Sequence, residues 1–237
     1  MAQRSEQAGG VGPARPPDVA GSPLRGAYRA RLDEIDDELV GGALLVAEGL
    51  PRICRGLLLA ERSCLGEARV LADEVRERCR RVEEQGFVLL AREAPVAGDL
   101  RRLVALLRLV GDVERSGRLA RHVAEGVERV DARLLPEEIR RQIEELAARS
   151  LAVFRAGVDA WRRRDALAVH ELDARDAEVD RLRTGLLVQA TGLRDAAGEV
   201  LALGLIARYF ERLADHGVAF AQHVTFVVTG DRVDLGT

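Results

Sequence analysis

The chain has 237 residues, 47% of them apolar and only 3% aromatic, with 36 basic against 39 acidic residues and a formal net charge of −3. That length and apolar fraction can bury a sizeable core, and few aromatics beside abundant Ala, Leu, Val, Arg and Glu exclude a sandwich or barrel in favour of packed helices. The charges are interspersed and the basic residues are all Arg, with no Lys or Asn, which reads as a GC-rich coding sequence and excludes a basic nucleic-acid footprint.

Residues 1–25 are rich in Pro, Gly and Ser without an apolar h-region, so a disordered tail is expected there. No later apolar run reaches ~18 residues without a charge, and a cytoplasmic protein without signal peptide or membrane span follows. Cys54, Cys64 and Cys79 are odd in number and form no Cys-x-x-Cys, the pattern of small core residues in a reducing compartment.

From Tyr28, apolar residues at Leu32, Ile35, Leu39 and Val40 recur at helical spacing and continue to Leu57-Leu58-Leu59, predicting a first helix bent near Pro51. Ser63 is placed as N-cap of a second helix running through Val75, Cys79 and Val82 to about Ala91. Pro95 breaks it, and Leu100, Leu103, Leu106, Val110 and Val113 carry a third to near Val130. Pro136 opens a fourth, with Ile139, Ile143, Leu146, Phe154 and Trp161 on its core face. Asp165 is placed as cap of a fifth, which Thr191-Gly192 ends, and a sixth spans Glu199 to about Val228.

Placing Glu114-Arg115 over Glu211-Arg212 brings Val123-Ala124 onto Phe220-Ala221 and Leu109 onto Ile206. The chain therefore reads as a tandem repeat. The expectation is an all-α fold of two pseudo-twofold-related antiparallel three-helix bundles, at residues 26–132 and 133–230, with a short tail at 231–237.

Asp176 with Asp180, and Glu211 with Asp215, each stand four residues apart, which puts both carboxylates of a pair on one helix face. Two neighbouring helices offering carboxylate pairs suit a hard or borderline cation such as Mg²⁺, Mn²⁺ or iron. The same spacing on an Arg-rich chain also describes a solvated, salt-bridged face. His216 and His223 follow on the same helix, where either could assist a metal or serve as cap, surface or core, and His122 and His170 are read as structural. Ser116 and the cysteines lack a base partner in the sequence, and no phosphate-cradling glycine loop is present, so no enzyme is expected.

Three stretches resemble the PhoU family: Leu89-Leu-Ala-Arg-Glu-Ala-Pro-Val-Ala-Gly-Asp-Leu-Arg101, Asp112-Val-Glu-Arg115 and Ala207-Arg-Tyr-Phe-Glu-Arg-Leu-Ala-Asp-His216. The resemblance covers residues 26 to 230. It implies a regulator of phosphate uptake and the phosphate-starvation response, acting as an adaptor between a phosphate ABC transporter and a membrane sensor histidine kinase, as a homodimer. It also implies surface sites for divalent or iron cations built from (Glu/Asp)-x-x-x-Asp motifs, matched here by Asp176, Asp180, Glu211 and Asp215. The first half departs from that pattern: Ala72 and Arg76 stand where the family has an Asp pair, and Arg118 replaces the Asp after Glu114. Asp73, Asp112 and Glu114 remain as remnants. Two other readings stay open, a helical metalloprotein handling iron or manganese and an accessory subunit of another phosphate transporter.

Overall fold

The computed structural model describes residues 23–93, 95–193 and 196–231; the expected disordered tail lies, apart from its last three residues, outside them. Those last three already belong to the first helix. Among the described residues six α-helices follow one another: α1 (Pro23–Leu58), α2 (Ser63–Glu93), α3 (Ala97–Glu125), α4 (Glu137–Arg163), α5 (Ala168–Ala190) and α6 (Ala197–Thr229). Single 3₁₀ turns at Gly126–Glu128 and Ala132–Leu134 join α3 to α4. The fold is all-α, two three-helix bundles, as the periodicities predict.

Two expected caps sit differently. Ser63 is the first residue inside α2, and Asp165 holds a turn, its carboxylate accepting from the Leu167 amide at 3.0 Å, three residues before α5 begins. An Asp side chain can satisfy a backbone amide two residues on as readily as it caps a helix, so the residue type alone does not separate the two.

In the first bundle α1 packs on α2 and α3, and in the second α4 packs on α5 and α6. The tightest approach is between α4 and α6, where a Cβ on Gly157 would stand 2.0 Å from the Gly217 carbonyl oxygen. Only two glycines let these backbones touch.

The bundles share one core. Along the α3–α6 seam, Arg101 Nε donates to the Val227 carbonyl at 3.3 Å, Ser116 faces His216, and His122 stacks on Tyr209 with ring centroids 5.3 Å apart. Ascending positions on α3 meet descending positions on α6, so the two homologous helices run antiparallel.

The second seam joins α1 to α4. Asp36, buried at 6% exposure on the apolar stripe of α1, accepts from the Trp161 indole, from Arg102 of α3 and from Arg164 at the end of α4. Arg164 adopts a left-handed backbone conformation, φ 57°, and lies over the Trp161 ring, 4.7 Å from its centroid. Left-handed backbone is unfavourable for a side chain with a Cβ, and the ion pair and the ring contact hold it in place. One carboxylate thus ties three helices of both halves together.

Candidate functional site

Asp176 and Asp180 lie on α5 and Glu211 and Asp215 on α6, and these two helices pack side by side. The four carboxylates fall within one another's field. Burial, followed by the charges of Asp215, Asp180 and Glu211, pushes the Asp176 carboxyl up to about 7. Burial first and Asp215 second raise Glu211, and Asp215 is raised mainly by burial. Such shifts mean that the negative charges are held partly away from water and close together.

Three arginines moderate the cluster. Arg208 pairs with Glu211, Arg212 with Asp215 at 3.2 Å and Arg183 with Asp180 at 3.9 Å. They do not satisfy it: Asp176 Oδ1 and Glu211 Oε2 are buried without a hydrogen-bond partner. A buried unpartnered carboxylate oxygen is costly, and a cation is the species these oxygens fit, their donor set being all carboxylate. Among the described residues no three His, Cys, Asp or Glu side chains already converge to ligating positions. The residues suit a hard cation in donor type and unmet demand, not in position.

The first-half remnants are differently placed. Asp73 pairs with Arg76 at 2.9 Å, Glu114 with Arg118 at 2.9 Å and Asp112 with Arg115 at 2.5 Å. No oxygen of these three carboxylates is buried and unpartnered. Both halves therefore carry arginines, and what separates them is burial with orphaned oxygens on the second half only.

His216 turns away from the carboxylates. It is buried at 6% exposure, with Nδ1 2.8 Å from Ser116 Oγ and Nε2 4.0 Å from Asp112 Oδ1. Ser116 has no base partner near it in the sequence; the fold brings a histidine to it from a hundred residues away. The Ser116 hydroxyl donates to the Asp112 carbonyl at 2.8 Å, so it accepts from His216 Nδ1–H, and Ser116 is fully buried. A sealed hydroxyl whose proton is already committed is no nucleophile, and the trio serves as a polar link across the α3–α6 seam. Burial holds the imidazole down at about 4, so it is neutral there.

His223 is half-buried further along α6 and His170 is exposed. His122, besides stacking on Tyr209, has Nδ1 3.0 Å from Glu125 Oε2. Cys54, Cys64 and Cys79 are free and buried, and burial pushes the Cys54 and Cys79 thiols up to about 12, which leaves them inert. No helix among the described residues is long and apolar enough to cross a membrane.

A family model described as the PhoU domain matches residues 45–127 and again 143–224. The phosphate-specific transport system accessory protein PhoU homolog 1 of Mycobacterium leprae (strain TN) is 30% identical over 210 residues, covering 87% of this chain and 95% of that protein. The homolog 1 of Mycobacterium tuberculosis (strain ATCC 25618 / H37Rv) is 32% identical over 213 residues, 87% and 95% of the two chains. The crystal structure of the phosphate transport system regulatory protein PhoU from Streptococcus pneumoniae superposes with a TM-score of 0.80 at 21% identity, over 88% of this chain and 100% of that one. PhoU from Pseudomonas aeruginosa does so with a TM-score of 0.80 at 24% identity, over 86% and 100%.

Proposed function

The chain belongs to the PhoU family, and from that membership we propose that it is an accessory regulator of phosphate uptake and phosphate-starvation signalling. It acts as a non-catalytic adaptor at the cytoplasmic face, as a homodimer, binding a phosphate ABC transporter and a membrane sensor histidine kinase. The observation that carries this reading is the double match: the same domain model fits each half, in register with the Glu114-Arg115 and Glu211-Arg212 frames. Relatives described as transport-system accessory proteins align along most of their own length as well.

A divalent or iron cation belongs to this reading as a ligand of the second half, held by Asp176, Asp180, Glu211 and Asp215. Supporting it are the two orphaned buried oxygens and the raised Asp176, Glu211 and Asp215 carboxyls. A bound cation supplies positive charge that relieves carboxylate repulsion. The chain's own part is to hold α5 against α6 so that the two pairs face the same space.

The test is a deletion strain grown with ample phosphate. Phosphate-starvation genes stay expressed there, and a plasmid copy of the chain silences them. Silent genes in the deletion strain overturn the regulatory reading and leave metal handling as the better account of the carboxylates.

A further inference from the structure

Between α1 and α4, away from the carboxylates, runs a groove of about 580 Å³, a volume in the range of ligand sites. Its walls are apolar or small: Leu50 and Leu58 from α1, Leu59 just past its end, and Ala147, Ala148 and Leu151 from α4. Three guanidinium groups, Arg55, Arg140 and Arg155, stand on it against one carboxylate, Glu144. Arg155 is engaged with the Ala47 carbonyl. Among the described residues Arg55 and Arg140 make no ion pair, and Arg140 Nε is buried without a partner.

Dimensions narrow the occupant. Arg140 and Arg155 lie fifteen residues apart on α4, about 22 Å at the helical rise, so the groove is elongated along the helices. An extended peptide is thin enough, but its amides and carbonyls need partners, and the helical walls have already spent their backbone groups within α1 and α4. Apolar walls beside guanidinium groups that make no ion pair among the described residues match a chain without polar groups along its length and with an anion at its end.

We propose that the α1–α4 groove binds a single-chain fatty carboxylate, its alkyl chain along Leu50, Leu58, Ala148 and Leu151 and its head group at Arg55 and Arg140. Guanidinium forks match carboxylate geometry, and the apolar floor excludes inorganic anions as sufficient ligands. The site spans both halves through α1 and α4, so occupancy stabilises the junction between them. It is independent of the carboxylate cluster and of the regulatory reading.

The experiment is isothermal titration of the full chain with dodecanoate below its micelle concentration, beside acetate, inorganic phosphate, dodecyltrimethylammonium and vesicles of anionic phospholipid. Expected is saturable binding of one dodecanoate per chain, none of acetate or phosphate, and at least roughly tenfold weaker binding of the alkylammonium and of dodecanoate to Arg55→Gln/Arg140→Gln. Ala148→Trp, which fills the groove and keeps both arginines, abolishes binding as well. If that variant misfolds, the arginine pair, on side chains that touch solvent, still decides. No saturable binding, equal binding of the cationic amphiphile, indifference to the arginine change, or binding of vesicles alone overturns the proposal.

Discussion

Arg155 of α4 donates to the Ala47 carbonyl of α1 at 2.6 Å, the acceptor that Pro51, four residues on, leaves without a helical donor. Pro51 lies inside α1, where a proline removes one i→i−4 bond. The sequence marks the break; the repair comes from the other half of the molecule. Removing Arg155 strands that carbonyl, so Arg155→Ala costs about 1–3 kcal/mol. In a Pro51→Ala background the helix closes its own bond, and the cost shrinks towards zero. Urea denaturation of the four proteins measures it, and an undiminished cost in that background means that the carbonyl is not what Arg155 serves.

Asp36 gathers Trp161, Arg102 and Arg164 at the α1–α4 seam. Deleting the carboxylate strands Arg164 and the Trp161 indole N–H, while Arg102 keeps Asp33 at 2.6 Å, and removing one partner of a buried ion pair typically costs about 3–5 kcal/mol. Asp36→Ala therefore lowers unfolding free energy by that order. Trp161 is the only Trp in the chain, so its emission reports the same change. Wild-type stability in Asp36→Ala would show that the network contributes nothing net.

In the metal-free protein Asp176 contributes more stability at pH 5 than at pH 8, opposed by His216, which burial holds down at about 4 and which therefore favours the unfolded chain as pH falls towards 5. The folded-state Asp176 value of about 7 lies above the unfolded value of about 3.9, so the folded chain holds this proton more tightly. Its stabilising contribution is fully present below the unfolded value and is lost as pH rises through about 7. Asp176→Asn removes this part of the pH dependence, and its melting temperature exceeds that of the parent at pH 8 more than at pH 5. A saturating cation has a similar levelling effect, because the charged form is then partnered. Parallel melting curves for parent and variant across that range contradict the picture.

Metal content should follow the second half. Glu211→Ala with Asp215→Ala abolishes bound divalent or iron cation in elemental analysis, whereas Glu114→Ala, on a carboxylate already paired with Arg118, leaves it unchanged. Equal losses, or no metal in the unmutated protein purified with metal present, assign these carboxylates to an Arg-paired face.

The helices were legible because their signal is local: apolar spacing and prolines mark them within one or two turns. The four second-half carboxylates were legible as pairs, since i,i+4 spacing fixes a helix face whatever the partner. Long-range contacts leave no such trace. Ser116 and His216 are a hundred residues apart, and only the antiparallel α3–α6 seam brings them together. Asp36 did leave a mark, an acid on the stripe of Leu32, Ile35, Leu39 and Val40, but its partners sit on other helices. The groove at Arg55 and Arg140 left none, being a gap between two helices.

The adaptor reading is tested most directly by coprecipitating the chain with membrane proteins from cells grown in high and in low phosphate. The account predicts that a phosphate ABC transporter and a sensor histidine kinase are recovered together, in amounts that change with phosphate. Recovery of neither, or of the same set regardless of phosphate and equally with an unrelated helical bundle as bait, contradicts it.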